Sequence, residues 1–145
     1  GEDENAENNV RYRFIGDLDG LTTELAAKCR HLEAVTAENR LLLNIALNYG
    51  GRADIVQAAN RLLAAGAQHV TEEEFSRALY TAHCSDPDLI VRTGGEYRLS
   101  NFRLWQSAYA DFYCSDTLWP DYSGDDLRAA LTAFAGRNRR FGRVL

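Results

Sequence analysis

The sequence predicts an α/β protein with a parallel β-sheet flanked by helices. Short apolar runs that are typical of strands alternate along the chain with longer segments whose apolar residues recur at helical spacing. One run, Leu41–Leu47, is almost continuously apolar, as expected for a strand buried on both faces of a parallel sheet. The chain has 145 residues, which is enough for a single domain with one core.

The first half of the chain predicts two strands and two helices. Val10–Ile15 alternates weakly between apolar and polar residues and ends at a Gly-Asp turn, which indicates a strand. Helical spacing of apolar residues predicts a helix over Leu21–Ala37, and a Tyr-Gly-Gly break ends the run Leu41–Leu47. A second apolar stripe predicts a helix from about Ala53 to Ala65. Residues 1–9 are acidic and polar, so we expect a disordered or frayed lead-in.

Two capping signals mark helices in the second half. Thr71 with Glu74 has the spacing of a capping box and predicts a helix start. Ser123 is a predicted N-cap for a last helix, Asp125–Arg137, whose acidic first turn and basic end suit the helix dipole. A short aromatic strand is predicted near Phe112–Cys114.

The stretch with the most chemical information follows the apolar strand predicted at Asp88–Arg92. Thr93–Gly95 allows a sharp turn, and Arg98 follows it. Ser100 and Asn101 then form a candidate N-cap for a helix that contains an apolar and aromatic stripe. Guanidiniums, a hydroxyl and a helix N-terminus at the carboxyl end of a strand are groups that bind phosphate.

The same residues also allow a purely structural interpretation. Arg92 and Arg98 can pair with Glu96 or Asp88, and Ser100 can serve only as a cap. The residue pattern by itself leaves the structural and the phosphate-binding interpretations open.

Composition excludes several classes of function. The net charge of −5 argues against nucleic acid as a partner. No apolar run approaches the roughly 20 residues of a membrane span, and no secretory signal is present. Three scattered cysteines have no metal-ligand spacing and suit a reducing, cytoplasmic setting.

The sequence contains five motifs that are long enough to compare with known families. They are I-V-R-T-G-G-E-Y-R-L-S-N-F at 90–102, L-W-Q-S-A-Y-A-D at 104–111, L-W-P-D-Y at 118–122, N-I-A-L-N-Y-G-G-R at 44–52 and R-R-F-G at 139–142. These motifs resemble those of the cis-prenyltransferases, the family that includes undecaprenyl diphosphate synthase. The resemblance covers nearly everything after about residue 9, so residues 10–145 are identified as the C-terminal part of a cis-prenyltransferase domain.

The resemblance implies a magnesium-dependent condensation of isopentenyl diphosphate with an allylic diphosphate such as farnesyl diphosphate. Family members begin with a strand and an M-D-G-N-G-R-W-like motif, whose aspartate and glycine-rich turn serve the allylic diphosphate and magnesium. No such motif occurs in this sequence. We therefore expect a C-terminal half that holds the isopentenyl diphosphate site and is inactive on its own.

Site residues are carried over position by position. Arg92, Arg98 and Ser100 would hold the diphosphate of isopentenyl diphosphate, with Leu99 contributing backbone. Asp111 matches a position that is usually glutamate and binds Mg²⁺, and the shorter side chain makes its ligation an open question.

The resemblance also assigns residues outside this cluster. Arg140 and Gly142 match an arginine-any-glycine element that reaches the neighbouring subunit's diphosphate site, which implies a homodimer. A solvated basic tail is the alternative there. Tyr97 replaces a common histidine or glutamine, which puts a proton-shuttle role in doubt. Asp54 is interpreted either as structural or as a residue that supports the site without contacting the substrate.

Two alternatives to the catalytic interpretation stay open. A non-catalytic accessory subunit of a heteromeric cis-prenyltransferase would keep the arginine-glycine element but tend to lose the substrate arginines. An unrelated α/β domain that binds a phosphorylated ligand has little room beside such long motifs. For the enzyme we expect a cytoplasmic location with transient membrane association during release of its lipid product.

Overall fold

The chain divides into two compact units, Gly1–His83 and Cys84–Leu145. The structure, a computed structural model, describes residues 8–137. Each unit contains a two-stranded parallel sheet with helices beside it. The predicted α/β class with parallel strands and flanking helices is confirmed, although the four strands pair as two separate sheets. Most of the predicted lead-in, residues 1–7, lies outside the described residues.

The first unit has two strands and three helices. Its sheet pairs β1 with β2 in parallel, from Val10 opposite Leu41 to Ile15 opposite Ala46. A short 3₁₀ turn at Leu18–Gly20 precedes α1. In chain order the elements are β1 at Val10–Ile15, α1 at Thr23–Val35, β2 at Leu41–Ala46, α2 at Gly51–Ala64 and α3 at Glu72–Ala78.

Side chains from α1 and its C-terminal end protect the free edge of β1. The backbone N–H of Tyr12 donates to Thr36 Oγ1 at 3.1 Å, and that of Phe14 donates to Glu33 Oε1 at 2.8 Å. An edge strand otherwise presents unpaired N–H groups that invite pairing with another chain. The Thr36 hydroxyl in turn donates to the Leu32 carbonyl at 2.7 Å, so it is held in place by the helix end.

Strand β2 differs from its prediction in burial. A continuous apolar run predicts a strand covered on both faces, whereas Leu41 and Leu43 are 64% and 44% exposed. Side chains alternate between the faces of a strand, so these two leucines share one face. That face is uncovered by the described part of the chain.

Asp54 is the polar centre of the first unit. It lies in the first turn of α2 and is only 1% exposed. Its carboxylate accepts hydrogen bonds from Tyr49 Oη at 3.1 Å, Gln57 Nε2 at 2.9 Å and the backbone N–H of Tyr80 at 3.0 Å. Gln57 also donates to the Ala78 carbonyl at 3.0 Å. The carboxylate therefore ties α2 to the end of α3, which confirms the structural interpretation of this residue.

The second unit contains β3 at Leu89–Arg92, β4 at Asp111–Cys114 and α4 at Gly124–Ala135. The strands pair in parallel from Leu89 opposite Asp111 to Arg92 opposite Cys114. A short 3₁₀ turn at Trp119–Asp121 leads into α4.

The predicted capping box at Thr71 and the predicted N-cap at Ser123 are both confirmed. Thr71 and Glu74 exchange the two expected hydrogen bonds at the start of α3. Ser123 caps α4, with Asp126 as the reciprocal acceptor. The predicted basic last turn of α4 is wrong because the helix ends at Ala135, before Arg137, whose guanidinium donates to the Phe112 carbonyl at 2.9 Å.

The helix predicted to begin at Asn101 is absent. Ser100, Asn101 and Arg103 have φ values of 49°, 62° and 48°, in the left-handed region. An α-helix needs consecutive right-handed residues, so this backbone forms a series of turns instead. Among the described residues, no helix N-terminus therefore follows directly after the Gly-Gly turn. A phosphate bound there would depend on side chains and loop backbone.

We predict that Asp54→Ala lowers the free energy of unfolding by about 2–4 kcal/mol, because it leaves buried donors without their acceptor. Urea denaturation of the chain measures this change. Asp19→Ala is the matched control, since Asp19 pairs with Arg30 at 3.0 Å on the surface. The control should cost at most about 1 kcal/mol. Equal losses for the two variants would contradict the role given to Asp54.

Candidate anion-binding site

The candidate site is built on the turn that follows β3. Gly94 and Gly95 adopt φ values of 78° and 69°, which side-chain-bearing residues rarely adopt. Their N–H groups donate to the carbonyls of Thr117 and Ser115, both at 2.9 Å. Ser115 in turn donates its N–H to the Arg92 carbonyl at 2.8 Å. The segment after β4 therefore holds the turn closed directly beyond the end of β3.

Two of the predicted site residues bind one carboxylate, and a third is bonded to one of them. Arg92 Nη2 donates to Glu96 Oε2, and Arg98 Nη2 donates to Glu96 Oε1 at 2.7 Å. Arg92 Nη2 also donates to Ser100 Oγ at 3.3 Å. Each oxygen of the carboxylate is thus bound by a different arginine, and the Ser100 hydroxyl lies beside Arg92. We call Arg92, Glu96, Arg98 and Ser100 the arginine cluster.

The arginine cluster carries an excess of positive charge and is open to solvent. Guanidiniums stay protonated in proteins, so two positive charges face one carboxylate. The hydrogen bond from Arg92 and the charge of Arg98 hold the pKa of Glu96 below its ordinary value. The side chain of Arg98 is 66% exposed and that of Arg92 is 29% exposed. Such a group can receive a dissolved anion without unfolding.

The arginine cluster bears on whether Arg92, Arg98 and Ser100 have a structural role or bind phosphate, a choice that the sequence left open. The expected pairing of both arginines with Glu96 is confirmed, but Ser100 does not act as a helix cap. The Leu99 carbonyl accepts the N–H of Phe102 at 3.1 Å, so this carbonyl is used within the turn. The interpretation of the sequence assigned Glu96 only as a pairing partner and did not predict that it bridges both guanidiniums. Its spacing from Arg92 and Arg98 was the available signal.

Asp111 lies away from the arginine cluster. It opens β4 opposite Leu89, whereas Arg92 pairs with Cys114 at the other end of the strands. Three residues along a strand span about 10 Å. Within residues 8–137 no group of three or more His, Cys, Asp or Glu side chains is placed to hold a metal ion. The described residues thus do not build a protein cage for magnesium beside the cluster.

The remaining predicted residues lie elsewhere in the chain. Arg140 and Gly142 fall outside the described residues, so their predicted role in a neighbouring subunit stays a prediction. Tyr97 lies between Glu96 and Arg98 in the sequence, and its side chain is 77% exposed.

An apolar cavity of about 370 Å³ lies in the same unit. Val91 and Thr93 line it, and side-chain alternation places Val91 on the opposite face of β3 from Arg92. Trp119 and Tyr122 stack there with ring centroids 6.3 Å apart. The cavity is therefore separate from the charged group. Its complete lining is Val91, Thr93, Trp119, Tyr122, Ser123, Gly124 and Leu127.

Together these features define an α/β protein that presents an arginine cluster beyond the end of a parallel strand. A profile of the family described as "Putative undecaprenyl diphosphate synthase" matches residues 1–142. The chain belongs to this family of prenyltransferases.

Individual relatives support the assignment. The isoprenyl transferase of Neisseria meningitidis serogroup A is 46% identical over 139 residues, which are 95% of this chain and 56% of that protein. A Pseudomonas putida relative named ditrans,polycis-undecaprenyl-diphosphate synthase ((2E,6E)-farnesyl-diphosphate specific) is 49% identical over 145 residues, with 95% and 58% covered. The chain thus spans somewhat more than half the length of these curated relatives.

Solved structures share the fold. The crystal structure of a probable undecaprenyl diphosphate synthase from Campylobacter jejuni matches with a TM-score of 0.87 at 37% identity, covering 98% of this chain and 69% of that one. Lavandulyl diphosphate synthase from Lavandula x intermedia, in complex with dimethylallyl diphosphate, matches with a TM-score of 0.91 at 32% identity, covering 98% and 64%. Over residues 8–137, none of the helices has the length and apolar character needed to cross a membrane.

We predict that Gly95→Ala lowers the free energy of unfolding by about 1–2 kcal/mol, because alanine is strained at this φ. Its Cβ would also lie 3.3 Å from Asp116 Oδ1. Gly124→Ala is the matched control, since its Cβ would meet nothing within 4 Å and its φ is not positive. Urea denaturation compares the two. If Gly95→Ala is as stable as Gly124→Ala, the turn is not constrained as described.

Proposed function

We propose that this chain carries the isopentenyl diphosphate site of a cis-prenyltransferase. The enzyme would condense isopentenyl diphosphate with an allylic diphosphate such as farnesyl diphosphate to make a polyprenyl diphosphate. The observation that carries the proposal is the convergence of Arg92 and Arg98 on a single anionic group, with the Ser100 hydroxyl bonded to Arg92. Membership of the family supplies the reaction class, and the allylic diphosphates in the names of two similar proteins support the substrate class.

The chemistry of the cluster suits a diphosphate. Arginine offers paired N–H donors in a planar fork that matches phosphate oxygens, and both cluster arginines use only Nη2 in the hydrogen bonds to Glu96. The Ser100 hydroxyl adds a donor beside Arg92. Charge-assisted hydrogen bonds of this kind are about twice as strong as neutral ones.

In the proposed reaction the double bond of isopentenyl diphosphate attacks the allylic carbon. The diphosphate group of the allylic substrate leaves with the electron pair of the broken carbon–oxygen bond. Loss of a proton from the condensed product then gives the new cis double bond. Arg92, Arg98 and Ser100 would fix the diphosphate that is retained, so that the double bond is presented in one orientation. Their role is to position one substrate.

Magnesium is proposed as the metal that accompanies the substrates. Mg²⁺ is commonly bound by one or two carboxylates together with substrate phosphates, and it neutralises phosphate charge when bound. Asp111 stays the proposed carboxylate ligand.

Assembly is the other part of the proposal. We propose a cytoplasmic homodimer in which Arg140 and Gly142 act at the neighbouring subunit's diphosphate, with transient membrane contact during release of lipid. The presence of Arg92, Arg98 and Ser100 favours a catalytic chain over a non-catalytic accessory subunit.

We predict that Arg98→Ala weakens the binding of isopentenyl diphosphate to this chain by about 10- to 100-fold, because a charge-assisted hydrogen bond to phosphate contributes roughly 1.5–3 kcal/mol. Isothermal titration measures the change. Arg128→Ala is the control, since Arg128 pairs with exposed Asp125 at 2.8 Å on the surface of α4. The control should bind as the unchanged chain does. Equal affinities for all three proteins would contradict the proposed site.

A further inference from the structure

Glu96 occupies the place in the arginine cluster that an anionic ligand would take. Its two oxygens are bound by two different guanidiniums, with Oε2 accepting from Arg92 and Oε1 accepting from Arg98 at 2.7 Å. A phosphate group presents the same pattern, since its oxygens can bridge neighbouring arginines. The free protein therefore holds its own anion where the proposed function requires a foreign one.

A bound diphosphate and an ionised Glu96 would conflict electrostatically. Both are anions that use the same two cations, and like charges within about 4–6 Å disfavour one another. This repulsion can be relieved, because the side chain of Glu96 is 40% exposed and can turn into solvent. The loop that carries it is anchored by Gly95, whose N–H donates to the Ser115 carbonyl at 2.9 Å, so the side chain can leave without moving the turn.

We propose that Glu96 is an internal counter-ion that the diphosphate displaces from Arg92 and Arg98, and that this exchange sets the affinity of the site. The inference rests on the proposed function, because it assumes that the arginine cluster binds a diphosphate. In the free protein Glu96 keeps two exposed guanidiniums together. In the bound protein the phosphate oxygens take its place.

The exchange predicts a definite dependence on pH. The charged groups that act on Glu96 are Arg92 from β3 and Arg98, and Asp116 lies close to the preceding residue, Gly95. In the free protein the two arginines keep the pKa of Glu96 below its ordinary value. After displacement the carboxylate has lost them and lies near an anion, so its pKa rises. Protonated Glu96 no longer competes, so the competition disappears as pH falls through the free-state pKa.

The test compares Glu96→Gln with the unchanged chain, using inorganic diphosphate without metal as the probe. We expect the variant to bind about three- to tenfold tighter at neutral pH, since a partly exposed ion pair is being removed from competition. That advantage should shrink toward one as pH falls through the free-state pKa of Glu96. Glu24→Gln, which changes an exposed Glu24–Lys28 pair at 2.7 Å in the other unit, is the matched control and should bind as the unchanged chain does.

A second measurement needs no substitution. The carboxyl carbon of Glu96, followed by ¹³C NMR across pH, should titrate at a higher pH when diphosphate is present than when it is absent. Weaker binding by Glu96→Gln, or a Glu96 titration that is unmoved or lowered by diphosphate, would overturn the exchange and leave the site intact. If the unchanged chain does not bind diphosphate at all, the proposed function fails as well.

Discussion

The parallel pairing of β3 with β4 is the constraint on which the candidate site depends. It brings the backbone after β4 alongside the end of β3, where the Ser115 N–H bonds the Arg92 carbonyl. The carbonyls of Ser115 and Thr117 then fix the two glycines of the turn. Because the turn is fixed at both glycines, the short segment beyond it returns Glu96, Arg98 and Ser100 to the side chain of Arg92.

Carboxylates perform different work in the two units. Asp54 is buried and bonded from several directions, so its charge is committed to joining helices. Glu96 is partly exposed and accepts its hydrogen bonds from the side chains of Arg92 and Arg98, so its charge can be exchanged. Burial decides between these roles, since a buried anion without partners is costly whereas an exposed one is solvated by water. This difference is why one carboxylate is assigned to stability and the other to the site.

Local signals in the sequence were sufficient where the structure is local. The capping box at Thr71 and the N-cap at Ser123 were predictable because each joins residues three apart. The turns after Ser100 were not, since left-handed backbone at non-glycine residues is imposed by surrounding structure rather than by propensity. The apolar pattern of Leu41 and Leu43 indicated burial, but it cannot say which segment would cover them. The family motif predicted Arg92 and Arg98 as site residues, but the bridge that Glu96 forms between them became visible only in the structure.

The most direct test of the account is a crystal structure of this chain with isopentenyl diphosphate. The account predicts the diphosphate within hydrogen-bonding distance of the guanidiniums of Arg92 and Arg98 and of the Ser100 hydroxyl, with the turn at Gly94 and Gly95 unchanged. A diphosphate bound at another place, with both arginines still held by Glu96, would contradict the claim that the arginine cluster is the substrate site.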